Sequence, residues 1–430
     1  MNSDSKQVPS GRLARLSGLA RAGLRSGTSL LLSRDADAAA RHAAQVLGRL
    51  RGLAAKVGQM ASYVDGMVPD GQREAYELAM RGLRAAAPSS PPDVVRALIE
   101  SELGASIEAL FARFETVPFA SASIGQVHRA ELSSGQAVAV KVQHPGIEAA
   151  IEADLKNVSV LETFVGALGP KALDSRRLMR EIAARFREEL DYRLEADRQT
   201  QFKRIHACDP MIQIPAVIPE RSARRVLTTE LVSGETLEWA SEQPEALRRR
   251  YAEVLWRFVF RGNLVGGLFN ADPHPGNYLF QPSGKIAFLD FGCVQPIGPD
   301  RLRQARRLHA AARRGDEATF REYCVQILKT RGGSYEEAAI AHSRATFEPL
   351  FASPFHMTRE FVQGMVQNAL RLKEQLFAKD KSFVPLPDGI LFMNRLQFGF
   401  YSVLARLEVA ADYRRVEDEL CVEAGIAELL

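Results

Sequence analysis

The 430-residue chain is poor in several features that would place a protein at once. It has four cysteines, Cys208, Cys293, Cys324 and Cys421. None forms a C-x-x-C pair or stands beside a histidine at metal-ligand spacing, so they read as buried or incidental thiols in a reducing compartment, and no zinc site is expected. A formal net charge of +4 is small for this length, which argues against nucleic acid as a partner. No apolar run reaches the length of a membrane span. The nearest, Val254 to Phe269, is interrupted by Arg257, Arg261 and Asn263 and predicts a buried helix. There is no internal repeat and no low-complexity block. What is present is an ordinary globular balance, 46% hydrophobic and 25% charged residues, on a chain long enough for two or three domains or lobes.

The first residues differ in character. Lys6, Arg12, Arg15, Arg21, Arg25 and Arg34 are set against Asp4 alone, with Leu13, Leu16, Ala20 and Leu24 at helical spacing. The apolar core and cleavage site of a secretory signal are missing. Residues 1–36 read as a basic, mobile leader, and three roles stay open: a loose tail, a membrane-surface helix or an organellar targeting segment. The expected location is cytoplasmic, or peripheral at a membrane.

Residues 37–113 are expected to form a helical N-terminal extension. Val46, Leu47, Leu50, Leu53, Ala54, Val57, Met60 and Ala61 keep an i, i+3, i+4 pattern. Pro88-Ser-Ser-Pro-Pro92 breaks it, and the next helix is expected to be capped by Ser90, begun by Pro91 and stopped by Gly104. From Phe114 the pattern changes. Phe119–Leu132 and Ala137–Val142 read as strands around a Ser133-Ser134-Gly135 turn, helical sequence runs from about Gly146 to Thr200, and Val226–Val232 reads as a strand. After Pro244 the chain is helical apart from a loop-and-strand island between Asn270 and Gly292. The fold class predicted is α+β: two lobes, residues 114–232 and 233–430, behind the helical extension.

Three segments could carry chemistry. Lys141 sits in Val138-Ala-Val-Lys141-Val142, and a lysine in an apolar strand is either an edge residue or a buried charge needing a partner. A hairpin leading into V-A-x-K is the setting in which a kinase lysine reaches the α- and β-phosphates of ATP. Asp272 and Asn277 stand five apart in a loop stiffened by two prolines and a glycine, the separation of the catalytic aspartate and metal-binding asparagine of a kinase catalytic loop. Asp290 ends an apolar strand as Asp290-Phe-Gly292, the pattern of a kinase magnesium ligand. Each also has a structural reading, as edge lysine, rigid turn and strand end; their order along the chain favours the kinase-type site.

The departures from ordinary kinases are informative. No G-x-G-x-x-G precedes Lys141; Phe119-Ala-Ser-Ala-Ser-Ile-Gly-Gln-Val-His128 stands there, and a loop of alanines is stiffer than one of glycines. No A-P-E segment follows Asp290-Phe-Gly292, so the usual peptide platform is lacking. Together with Lys56-Val-Gly-Gln59 and Glu189-Leu-Asp191-Tyr192, these motifs resemble the signature set of the UbiB (AarF-domain) atypical kinase family, over residues 9 to about 410.

The resemblance implies a protein-kinase-like fold and a set of roles. Lys141 would contact ATP and pair with Glu195. Asp272 would be the catalytic-loop aspartate, and Asn277 and Asp290 would hold Mg2+. Lys56 would reach the active site from the extension, with Gln59, Glu189 and Asp191 at its contact. Nucleotide contacts would come from Ala120, Ser121, Ala122, Ser123, Ile124, Gly125, Gln126, Lys141, Glu230 and Val232. Where family members often read A-A-A-S, this chain has Ala120-Ser121-Ala122-Ser123, and the added hydroxyl could alter nucleotide preference. The implied activity is magnesium-dependent ATP binding with hydrolysis or phosphoryl transfer to a small-molecule or lipid-like acceptor, or water, in isoprenoid quinone or lipid metabolism. Quinone-biosynthesis proteins and a membrane surface are the implied partners. A small-molecule kinase of the aminoglycoside/choline-kinase type, a nucleotide-binding scaffold and an ordinary protein kinase remain as alternatives.

Overall fold

The computed structural model describes residues 90–122, 124–156, 184, 186–375 and 390–426. The leader 1–36, the helix expected around Val46–Ala61 with Lys56 and Gln59, and Ser123 lie outside the described residues. The chain divides into two units, one holding the described residues up to Ala196 with Val217–Leu231, the other Asp197–Ala216 and the described chain from Val232 on.

Up to residue 230 the elements are α1 (Pro92–Leu103), α2 (Ile107–Leu110), β1 (Arg113–Phe114), β2 (Ala120–Ser121), β3 (Gly125–Glu131), β4 (Ala137–Gln143), α3 (Ile147–Lys156), α4 (Tyr192–Ile205), β5 (Ile212–Gln213) and β6 (Val226–Glu230). The first unit is built on the antiparallel order β1-β3-β4-β6, with β2 also paired to β3. In β4 burial alternates from Ala137 to Val142. Val138, Val140 and Val142 are fully buried and pack with Val95, Leu98 and Ile99 of α1. Ala139 and Lys141 therefore point to the other face. On that face Leu227, the cross-strand partner of Lys141, packs with Ile124, Ile147, Ile151, Phe186, Leu190 and Tyr192.

Helix α1 starts one residue later than the sequence suggested. Pro91 occupies the cap position, Pro92 is the first helical residue, and Gly104 ends the helix at φ 71°. Ser90 does not cap, because its hydroxyl is engaged with His144 Nδ1 at 2.9 Å. The strand expected over Phe119–Leu132 is split into β2 and β3, with Ala122 and Gly125 exchanging backbone hydrogen bonds of 2.8 and 3.4 Å at the hairpin end.

The second unit continues with α5 (Leu237–Ser241), α6 (Glu245–Phe260), β7 (Leu268–Asn270), β8 (Tyr278–Phe280), β9 (Ile286–Phe288), β10 (Val294–Pro296), α7 (Pro299–Arg314), α8 (Glu317–Leu328), α9 (Gly333–Thr346), α10 (Glu348–Phe351), β11 (Phe355–His356), α11 (Arg359–Gln375), α12 (Ile390–Ala405), β12 (Ala410–Ala411) and α13 (Tyr413–Glu423). Two small sheets, β5-β9-β8 and β10-β7, frame the loop 271–277 and the turn 289–293. The helix expected over Val254–Phe269 stops at Phe260. One π-helical turn, Arg261–Val265, follows and leads into β7. The buried Arg261 ends the apolar run with an ion pair to Glu423, so it faces a carboxylate and not a continuing helix core.

The core of this unit carries two buried polar arrangements. Glu417, fully buried, accepts hydrogen bonds from Trp256 Nε1 (3.1 Å), His309 Nδ1 (3.0 Å) and Arg313 (3.0 Å). Burial alone would raise its pKa; the His309 and Arg313 charges outweigh burial and hold it below the usual value. His206 is stacked on Phe258 at 4.9 Å, and neither ring nitrogen has a hydrogen-bond partner.

Burial, with the Arg261 charge second, pushes the His206 imidazole down to about 3. The unfolded chain takes up this proton near pH 6.5, the folded one only near 3. Stability is therefore complete above pH 6.5 and falls below it, by up to about 1.4 kcal/mol per pH unit. His206→Phe, which keeps a ring beside Phe258, should flatten the dependence of the urea midpoint between about pH 7 and 5. An unchanged slope would show that His206 takes no part in acid destabilisation.

Candidate active site

In the first unit, alternation directs Lys141 away from the valine face toward α4. Lys141 Nζ lies 2.6 Å from Glu195 Oε1 and 5.1 Å from the centre of the Tyr192 ring. The side chains are 17% and 5% exposed, so this is a half-buried pair in which the carboxylate is the more desolvated partner. Glu195 reaches it because α4 begins at Tyr192, whose ring is buried and whose N–H donates to Arg224 O at 2.8 Å. Gln143 Nε2 donates to Leu190 O at 2.9 Å and ties the approach to α4 to the end of β4.

The hairpin before Lys141 is tight. Ala120 and Ser121 are exposed and Ala122 is half-buried. A Cβ on Gly125 would collide with the Val142 carbonyl oxygen and lie 2.8 Å from Tyr192 Oη, so glycine is needed where β3 passes this close to its neighbours. The side chains of Ile124 and Gln126 turn inward. Ile124 joins the apolar cluster of Leu227 and Tyr192. Gln126 accepts the Ser90 N–H at 2.7 Å, which turns its amide nitrogen to His128 Nε2 at 2.9 Å. His128 Nε2 is then the acceptor and Nδ1–H donates to Glu115 O at 2.7 Å. Burial lowers the His128 pKa, consistent with this neutral ring. Glu230 and Val232 are half-buried, with Glu230 opposite Val138 in the sheet. Asp191 pairs with Arg193 at 2.9 Å, and that hydrogen bond lowers its pKa. Glu189 is half-buried on the segment leading to Leu190.

In the second unit, the loop between β7 and β8 carries Asp272 and Asn277, and the turn between β9 and β10 carries Asp290. Asn277 Nδ2 donates to Asp272 O at 3.3 Å, and Leu289 N donates to Asn277 O at 3.0 Å, so the loop is tied to the strand end before Asp290. Gly292 N donates to Asp290 Oδ1 at 2.9 Å. Tyr278 follows Asn277 with its ring buried; burial, then the Asp272 charge, raises the pKa of its hydroxyl, which stays protonated beside the loop.

Two residues were not singled out in the sequence. Asn270 accepts the Asp272 N–H at 3.1 Å and donates to Asp290 O at 2.7 Å. Arg198 donates to Gly292 O at 3.0 Å. Asn270 borders the Asp272 loop and could have been suspected; Arg198 has no local signal, since its partner is 94 residues away.

The donor set suits a hard cation. With the Asn277 amide nitrogen directed at Asp272 O, its oxygen is the group left for a ligand, and Asp290 supplies a carboxylate. Among the described residues no group of three or more His, Cys, Asp or Glu side chains could hold a metal alone. Such a pair fits Mg2+, which keeps waters and takes further oxygens from phosphates.

The ion pair can be tested by stability. Lys141→Ala removes the 2.6 Å partner of a nearly buried carboxylate and should cost about 3 kcal/mol in denaturant unfolding. Glu195→Gln should cost less, because Lys141 keeps more contact with water and an amide oxygen can still accept its proton. The reverse order would mean that the lysine is the charge that depends on the pair.

The profile of the ABC1 atypical kinase-like domain matches residues 82–324, more than half of the chain. The chain is 28% identical over 375 residues to the Saccharomyces cerevisiae atypical kinase COQ8, mitochondrial, covering 86% of this chain and 74% of that one. It is 29% identical over 381 residues to atypical kinase COQ8B, mitochondrial, of Rattus norvegicus, covering 86% and 70%. A Mycobacterium tuberculosis structure, Rv3197 in complex with erythromycin, superposes with a TM-score of 0.62 at 26% identity, covering 96% of this chain and 98% of that one. No helix among the described residues is long and apolar enough to cross a membrane. The chain has a kinase-like fold and belongs to the ABC1 atypical kinase-like family.

Proposed function

We propose that this protein binds Mg–ATP and either hydrolyses it or transfers its γ-phosphate to a non-peptide acceptor, a small or lipid-like molecule. The observation that carries this reading is the Lys141–Glu195 pair at 2.6 Å, on a chain that also brings Asp272, Asn277 and Asp290 together at two linked turns. Phosphoryl transfer asks little covalent work of a protein; it needs held phosphates, a cation and an oriented acceptor. Lys141, kept in place by Glu195, neutralises the α- and β-phosphates. Asn277 and Asp290 would hold Mg2+, which would supply positive charge to offset that of the phosphates. Asp272 orients the acceptor hydroxyl or water and accepts its proton as the new O–P bond forms and ADP departs.

The missing A-P-E segment supports a non-peptide acceptor, since Val294–Pro296 passes directly into α7. The erythromycin complex of the mycobacterial structure supports the same ligand class. A place in isoprenoid quinone or lipid metabolism, with quinone-biosynthesis proteins and a membrane surface as partners, rests on the UbiB-type resemblance. The relatives named as mitochondrial favour the organellar reading of residues 1–34.

Magnesium-dependent ATP turnover in wild type, Asp290→Asn and Lys141→Ala tests the assignment. Wild type should turn over ATP, and each variant should lose at least about a hundredfold in rate, the scale of losing one electrostatic contact in the transition state. Turnover unaltered in both folded variants would overturn the site.

A further inference from the structure

Two contacts to the Asp290–Gly292 turn are not explained by ligand binding itself. At one end Asn270 Nδ2 donates to the Asp290 carbonyl oxygen at 2.7 Å, while its Oδ1 accepts the Asp272 N–H at 3.1 Å. At the other end Arg198 donates to the Gly292 carbonyl oxygen at 3.0 Å. Between them Phe291 is fully buried, its ring 5.1 Å from Phe202 and 6.4 Å from Phe258. Inside the turn the Gly292 N–H holds Asp290 Oδ1 at 2.9 Å.

An apolar anchor alone leaves the turn underdetermined. Phe291 fixes where the middle of the turn lies, and a hydrogen bond to the peptide plane on either side further restricts the rotations that would re-aim the Asp290 carboxylate. Asn270 fixes the first plane and Arg198 the second. The charged donor makes the stronger bond. The amide of Asn270 has donor and acceptor in one rigid group, so it also sets the spacing between the backbone at Asp272 and the backbone at Asp290.

We propose that Asn270 and Arg198 are positioning residues that clamp the Asp290–Gly292 turn from both ends and hold the Asp290 carboxylate in one orientation toward the cation of a metal–nucleotide substrate. This rests on the Mg–ATP reading above. Neither residue touches the nucleotide; both act through Asp290. Outer contacts that orient a metal ligand carry about 10- to 100-fold in metal affinity, and that is the effect expected here.

The test is made on the full chain with Arg198→Met, Arg198→Lys and Asn270→Ala, measuring three quantities: the Mg2+ concentration for half-maximal ATP binding, ATP binding in EDTA, and the thermal midpoint. Arg198→Met and Asn270→Ala should raise the Mg2+ requirement about tenfold or more, with binding in EDTA close to wild type. Arg198→Lys keeps a cationic donor and should recover most of the loss; it also serves if the methionine variant does not fold. An unchanged Mg2+ requirement in folded variants overturns the clamp and leaves the Mg–ATP reading standing. Equal loss of binding with and without metal, tracking a lowered midpoint, also overturns it and assigns the two residues to stability. A wild-type protein whose ATP binding ignores Mg2+ overturns the Mg–ATP reading and the clamp with it.

Discussion

A lysine ammonium placed in an apolar strand has to find a counter-charge, and much of the first unit is arranged around that requirement. β4 gives one face to Val138, Val140 and Val142 and so leaves Lys141 only the opposite one. There Leu227 and Tyr192 close the apolar surroundings and Glu195 supplies the charge. The start of α4 is held by the Tyr192 N–H on Arg224 O and by Gln143 on Leu190 O. The glycine at 125 serves the same end, letting β3 lie close against Val142 and Tyr192, while Gln126, opposite Val142, turns to the other face and holds Ser90. A half-buried charge pair is weak evidence of stability, since an apolar pair of like volume is often at least as stable. The pair fits the role proposed for the lysine as a phosphate contact.

The second unit solves a different problem, that of keeping two carboxylates and an amide in fixed places on irregular backbone. Two prolines stiffen the Asp272–Asn277 loop, and Leu289 N–H on Asn277 O ties it to the neighbouring strand end. Phe291 pins the Asp290 turn to the core among Phe202 and Phe258. Asn270 and Arg198 then fix its peptide planes. Buried polar groups are paired elsewhere in the same core, as Glu417 is with His309, Arg313 and Trp256. His206 is one exception, kept neutral by burial, and the Tyr413 hydroxyl is another.

The parts of this that were legible in the sequence are those written in short-range pattern. Alternation around Lys141 is local, and so is the punctuation of Asp272-Pro-His-Pro-Gly-Asn277 and Asp290-Phe-Gly292. Where long-range bonds decide, the sequence misled or was silent. Ser90 has the composition and place of a helix cap, but His144 takes its hydroxyl from 54 residues away. The apolar run from Val254 reads as one helix, although Arg261 is drawn to Glu423 and the α-helix gives way after Phe260 to a π-helical turn. Gln126 reads as part of a loop for phosphates, while its side chain is spent on Ser90 and His128. Arg198 is one arginine among many until Gly292 O is placed beside it.

The central claim is that these residues serve a metal–nucleotide substrate. It is tested most directly by calorimetric titration of ATP into the full-length wild-type protein, once with Mg2+ and once with EDTA. The account predicts saturable binding that is clearly tighter with the metal, because Asn277 and Asp290 reach the phosphates only through a cation. Binding of equal strength in both, or in neither, would contradict it.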